Sequence, residues 1–165
     1  MYKIKLLTLL LVSLINVSCI ENKTSYPNIK YSLAYIGGEF EGLILKNYLM
    51  NYLSSYNLYD KNSNFEIVSN ISHSDNLYIT NIDNTSDRTN IQSTLNVEIR
   101  DKENNCPINN FYKSVSQFYI FADGSKYLSN NTAVEKIKKE NTEVLVKSFI
   151  NNLGKVVNKC EKAEI

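Results

Sequence analysis

Between Ile91 and Ile99 the chain alternates without a break. Ile91, Ser93, Leu95, Val97 and Ile99 fall on one side of an extended backbone, and Gln92, Thr94, Asn96 and Glu98 fall on the other. Successive side chains of a strand point to opposite faces, so this pattern demands one face against a core and one face left polar. A chain built around such a strand folds as a sheet covered on one side only. The strand is expected over Thr89 to Arg100.

Neighbouring segments supply the rest of the sheet. Tyr31 to Ile36 is a short apolar-aromatic run stopped by Gly37-Gly38, and reads as a first strand. Phe65 to Ile71 largely alternates, Ser72 to Asn76 reads as a break, and Leu77 to Ile82 resumes the extended pattern. Asp83 to Ser86 is a polar turn, Asp101 to Asn110 a loop holding Cys106 and Pro107, and Phe111 to Phe121 a further strand, aromatic on both faces. Ala122 to Ser125 is a turn.

Two segments carry the helical period instead. In Phe40 to Tyr56, Phe40, Ile44, Tyr48 and Tyr52 recur every four residues beside a stripe of Leu45, Leu49, Leu53 and Tyr56. Glu39 and Glu41 stand near its start, where the helix dipole favours acids. Asn131 to Val157 is the second helix. Thr132 and Glu135 have capping-box spacing, and Val134, Ile137, Val144, Leu145, Phe149, Leu153 and Val156 form its apolar stripe. Lys136, Lys138, Lys139 and Glu140 read as a solvated face. The order strand, helix, strands, helix predicts an α+β two-layer sandwich, with two helices packed on one face of a four-stranded mixed or antiparallel sheet.

The N-terminus sets the compartment. Met1 to Lys5 is a short basic start, Leu6 to Val17 is apolar apart from Thr8, Ser13 and Asn16, and Val17-Ser18 precedes Cys19. This is the order of a secretory signal peptide ending in a lipobox. The apolar run falls short of the roughly 20 residues a spanning helix needs. Residues 1–18 are therefore read as signal peptide, with Cys19 as a lipidated (palmitate-type) N-terminus and a polar linker to residue 30. A single domain over 31–160 follows. Asn16 departs from the leucine usual in that lipobox position. Cleavage near Cys19 without lipidation, or a retained anchor, are the alternative processings. Loss of Lys3 and Lys5 lowers the basic count from 18 by two to 16, against 17 acids, and so leaves no footprint for nucleic acid.

Export also frames the cysteines. With Cys19 acylated, Cys106 and Cys160 remain as an even pair in an oxidising compartment, either joined as one disulfide or left as two unrelated thiols. His73 is the only histidine, in a Ser72-His73-Ser74-Asp75 stretch that reads as a turn. Its triad-like composition is local, whereas a triad is a geometry assembled across a fold. Gly37-Gly38 lacks phosphate-loop spacing, and no CxxC occurs. No cofactor or metal is expected, and the chain reads as a binding or assembly component rather than an enzyme.

The layout resembles the lipopolysaccharide-assembly lipoprotein LptE family, in its alphaproteobacterial form, from about Tyr31 to Val157. The segments that carry the resemblance are Phe40 to Leu49, Phe65 to Ser69, Leu77 to Thr80 followed by Thr85 to Arg88, Leu95 to Asp101, Ser116 to Tyr119, and Tyr127 to Ala133. Ile20-Glu21 departs from the Gly-Phe that often follows the family's lipid cysteine. The resemblance implies an outer-membrane lipoprotein on the periplasmic side. Its partner would be an LptD-type β-barrel, which it plugs and helps to assemble in lipopolysaccharide transport to the cell surface. Cations are needed to meet lipopolysaccharide phosphates, and Arg88 and Lys126 are the candidates; the alternative is two ordinary surface cations. Two other readings stand beside it: an auxiliary lipoprotein of another lipid-transport system, and a secreted hydrolase using His73 and Asp75.

Overall fold

A computed structural model of the chain describes residues 29–79, 87–120, 127–153 and Cys160. The signal peptide, Cys19, the linker up to residue 28, the turns at 83–86 and 122–125, Lys126 and Val156 lie outside the described residues.

The element order is β1 (Ser32–Gly37), α1 (Glu39–Ser55), β2 (Phe65–Ile79), β3 (Asp87–Asp101), β4 (Cys106–Ile120) and α2 (Tyr127–Leu153). The strands lie side by side in the order β1-β2-β3-β4. β1 runs parallel to β2, which requires a crossover, and α1 supplies it. β2, β3 and β4 form an antiparallel meander. The result is the expected α+β sandwich with a four-stranded mixed sheet and both helices on one face.

The core lies between that face and the helices. Ile67 stands opposite Ile99 and Ile71 opposite Leu95 in the β2–β3 register. Val97 pairs with Phe111, whose ring meets Phe149 edge-to-face at 5.5 Å. α1 buries Leu45, Leu49 and Leu53, and α2 buries Leu145, Val146, Phe149, Ile150 and Leu153. Burying a Leu, Ile or Phe side chain contributes about 1.5–3 kcal/mol, so these two stripes anchor the layer. Of the two apolar lines read on α1, the leucine line is the buried one. Ile44, Tyr48 and Tyr52 are half-buried, while Phe40 and Tyr56 are exposed.

Gly38 joins β1 to α1 with φ at 113°, a left-handed value that favours glycine. A Cβ there would also stand 2.8 Å from the Ile71 carbonyl oxygen. The turn therefore brings α1 directly down on β2.

The structure corrects several sequence expectations. Ser72 to Asn76 is no break: β2 runs unbroken from Phe65 to Ile79, and His73 sits in it opposite Ser93. The apolar alternation fails there because the helix-facing positions meet a polar cluster rather than the apolar core. β4 begins at Cys106, so the expected loop from Asp101 to Asn110 shrinks to a tight hairpin in which Asp101 accepts backbone N–H bonds from Glu103 and Asn104. α2 begins at Tyr127, which puts Thr132 inside the helix, donating to the Leu128 carbonyl at 2.9 Å rather than capping. Val144 is exposed, whereas Asn141 and Thr142 are buried in its stead.

Candidate functional site

The antiparallel register fixes what the uncovered face presents. Ser74, Gln92 and Ser116 form one cross-strand row, Ser72, Thr94 and Ser114 the next, and Asn70, Asn96 and Tyr112 the third. Gln92 and Asn96 are exposed, and Glu98 is half-buried. Thr94 and Ser114 share a hydroxyl–hydroxyl bond of 2.8 Å, and Arg100 donates Nε–H to Glu98 Oε1 at 2.5 Å. The ion pair is partly exposed and contributes little.

Toward β4 the same face turns aromatic. Tyr112, Phe118 and Ile120 are 73, 60 and 69 % exposed. No described element covers this surface. A polar centre with a rim of aromatic and aliphatic side chains is suited to contact with a surface that offers both hydrogen bonds and apolar contact.

Arg88 lies at the far end of β3, exposed, in register between Tyr78 of β2 and Ile120 of β4. Its alternation places it on the uncovered face. Lys126 and Cys19 fall outside the described residues, so Arg88 is the candidate cation that can be located. Cys106, at the start of β4, is joined to Cys160 as a disulfide, with Cα atoms 6.3 Å apart.

His73 belongs to the opposite, helix-covered face. Its Nδ1 is 2.7 Å from Ser93 Oγ, and Asn141 of α2 donates Nδ2–H to the same oxygen at 3.0 Å and to the Ile91 carbonyl at 3.3 Å. Ser93 and Asn141 are fully buried. Burial pushes the imidazole below its ordinary value, and Lys138 adds to this, while Glu41 and Glu135 oppose it. Lys138 in turn bridges Glu41 of α1 at 3.5 Å and Glu135 at 3.7 Å. Glu41 is held below the usual carboxylate range by a backbone hydrogen bond first and by Lys138 after it. The Ser93 hydroxyl is sealed from solvent, so this group ties α2 to the sheet. Asp75, two residues along the strand, is exposed and stands opposite Ile91.

Sequence reasoning located the polar face and its aromatic admixture. It missed the Ser93–Asn141 tie, because Asn141 lies in a polar stretch of α2 and only the packing shows that it points inward.

No family model and no curated protein matches the sequence. Solved structures do match it. A minor lipoprotein from Acinetobacter baumannii superposes with a TM-score of 0.63 at 13% identity, covering 83% of this chain and 100% of that one. A putative lipoprotein from Caulobacter crescentus gives 0.55 at 13% identity, covering 75% and 87%. The rare lipoprotein B from Shewanella oneidensis gives 0.53 at 10% identity, covering 74% and 95%. At such identities the likeness is one of fold: this chain shares its sandwich with bacterial lipoproteins over most of its length and nearly all of theirs.

Proposed function

We propose that this chain is an envelope lipoprotein of the LptE type. In this reading acylated Cys19 anchors it to the outer membrane from the periplasmic side. Its folded domain seats in an LptD-type β-barrel, assists that barrel's assembly, and serves the passage of lipopolysaccharide to the surface. The observation that carries the reading is the uncovered sheet face, polar through Gln92, Asn96 and the Thr94–Ser114 pair and aromatic at β4. Large membrane barrels are polar inside, and a polar face can be buried there only where its groups find partners. The lipobox-like end of the leader and the fold shared with bacterial lipoproteins, rare lipoprotein B among them, support the same reading. In this reading Arg88 and Lys126 are the candidate cations for a lipopolysaccharide phosphate.

The test is depletion of the protein in its native cell, followed by assay of mature barrel and of surface lipopolysaccharide. Loss of both is expected. If both stay normal, the auxiliary-lipoprotein reading replaces this one.

A further inference from the structure

A second surface lies along the edge of the sheet and shares Tyr112 with the uncovered face. β4 is the last strand of the sheet, and no described strand pairs with its outer edge. Such an edge is normally protected by proline, lysine, a bulge or a covering element. Here Pro107 and the register irregularity lie at the start of the strand. From Ile108 to Ile120 the only charged residue is Lys113.

Alongside this edge, β4 and α2 flank an open, shallow cleft of about 420 Å³. Phe111 lines it and is braced from beneath by Phe149, so the spacing of strand and helix is fixed by packing. Asn110 stands on the strand side, and Asn151 and Asn152 on the helix side. Lys113 reaches across to donate to Ser148 Oγ at 2.9 Å. None of the ion pairs among the described residues involves Lys113.

These features fit one kind of occupant. A strand edge offers N–H and C=O groups on a two-residue repeat, which an extended peptide matches with its own backbone. Asparagine amides carry both donor and acceptor, as a peptide group does, so the helix wall can meet the peptide's second side. The Lys113 ammonium uses one of its three N–H groups on Ser148, and a carboxylate can take up those that remain. We propose that the β4–α2 cleft docks an extended acidic peptide segment of a partner protein, added to the sheet as a fifth strand with an Asp or Glu side chain on Lys113.

The test uses the full chain in detergent and fluorescein-labelled short peptides of alternating Thr and Ser with one central Asp. Matched peptides carry N-methyl groups on alternate backbone amides, in one register or the other. Saturable binding is expected, weakened roughly tenfold by methylation of the amides that face the strand and less by methylation of those that face the asparagine wall. Replacing the central Asp by Asn, or Lys113→Met in the protein, should weaken binding about threefold, as for an exposed ion pair. The methylation comparison needs no protein variant, so a folding defect cannot mask it. Absence of binding, equal binding by both methylated registers, or binding of chitotetraose in place of the peptide would each overturn the proposal.

Discussion

Asn141 of α2 and Ser93 of β3 are both fully buried, and the asparagine donates its side-chain amide to the serine hydroxyl at 3.0 Å. This bond, with the companion to the Ile91 carbonyl, fixes the middle of α2 over the sheet where the apolar core has ended. Asn141 Oδ1 has no hydrogen-bond partner, so the side chain carries a desolvation cost on one atom and two bonds on the other.

Removing either partner should be costly and the two losses should not add. Asn141→Ala removes both bonds that the buried amide donates and leaves a cavity, and is expected to destabilise by about 1–3 kcal/mol, measured by urea unfolding. Ser93→Ala should cost less. The double variant should show a coupling of at least about 0.5 kcal/mol. Strict additivity would mean that the bond does not contribute.

The same cluster gives a pH dependence. Because Ser93 Oγ accepts from Asn141, donor counting assigns its own hydrogen to His73 Nδ1, which favours the neutral imidazole with its proton on Nε2. Protonating His73 reverses that donor, and burial and Lys138 oppose the charge as well. The folded value therefore lies below 6.5, the unfolded chain binds the proton more readily, and folding stability rises with pH across that interval. The contribution is fully present above 6.5 and is lost as pH falls through the folded value. His73→Gln should flatten the stability profile in this window, and an unchanged slope would remove His73 as its source. Glu41, also lowered, acts at more acid pH: its contribution is present above 4.5 and is lost as pH falls through its own folded value.

The disulfide should be present in protein isolated without reductant. Closing a loop of 54 residues stabilises by about 4 kcal/mol in the chain-entropy description. Non-reducing peptide mapping should recover Cys106 and Cys160 in one linked fragment, and recovery of both as free thiols would rule the bond out.

Lipidation is checked at the other end. Protein extracted from membranes should begin at Cys19 and carry added acyl mass, and at about 0.8 kcal/mol per buried CH₂ several chains hold it there. An unmodified start elsewhere would remove the anchor from the account.

Much of the architecture was legible because its signals are periodic. The Ile91–Ile99 alternation and the Leu45, Leu49, Leu53 line each name a buried face directly. β2 was harder. Its helix-facing line passes from Ile67 and Ile71 to His73, and a histidine satisfied by Ser93 looks in sequence like the end of a strand. Val144 fits a helical stripe in the sequence, but the helix turns Val146 and Ile150 inward and leaves Val144 exposed. The uncovered face could be read from Gln92 to Glu98, since polar alternation marks it. The β4–α2 cleft could not, since it depends on which strand ends at the sheet's edge.

The central claim is that the uncovered face seats in a β-barrel. Tagged protein should be purified from its native membranes with the bound barrel identified by mass spectrometry, for the wild type and for Gln92→Lys, Asn96→Asp and the control Asp75→Asn on the opposite face. An LptD-type barrel should co-purify with the wild type and with Asp75→Asn, and recovery should fall several-fold for the two face variants, because an unpaired polar or charged group in a buried contact costs about 1–3 kcal/mol. Absence of any barrel from the wild-type preparation, or equal recovery with all variants, would contradict the account.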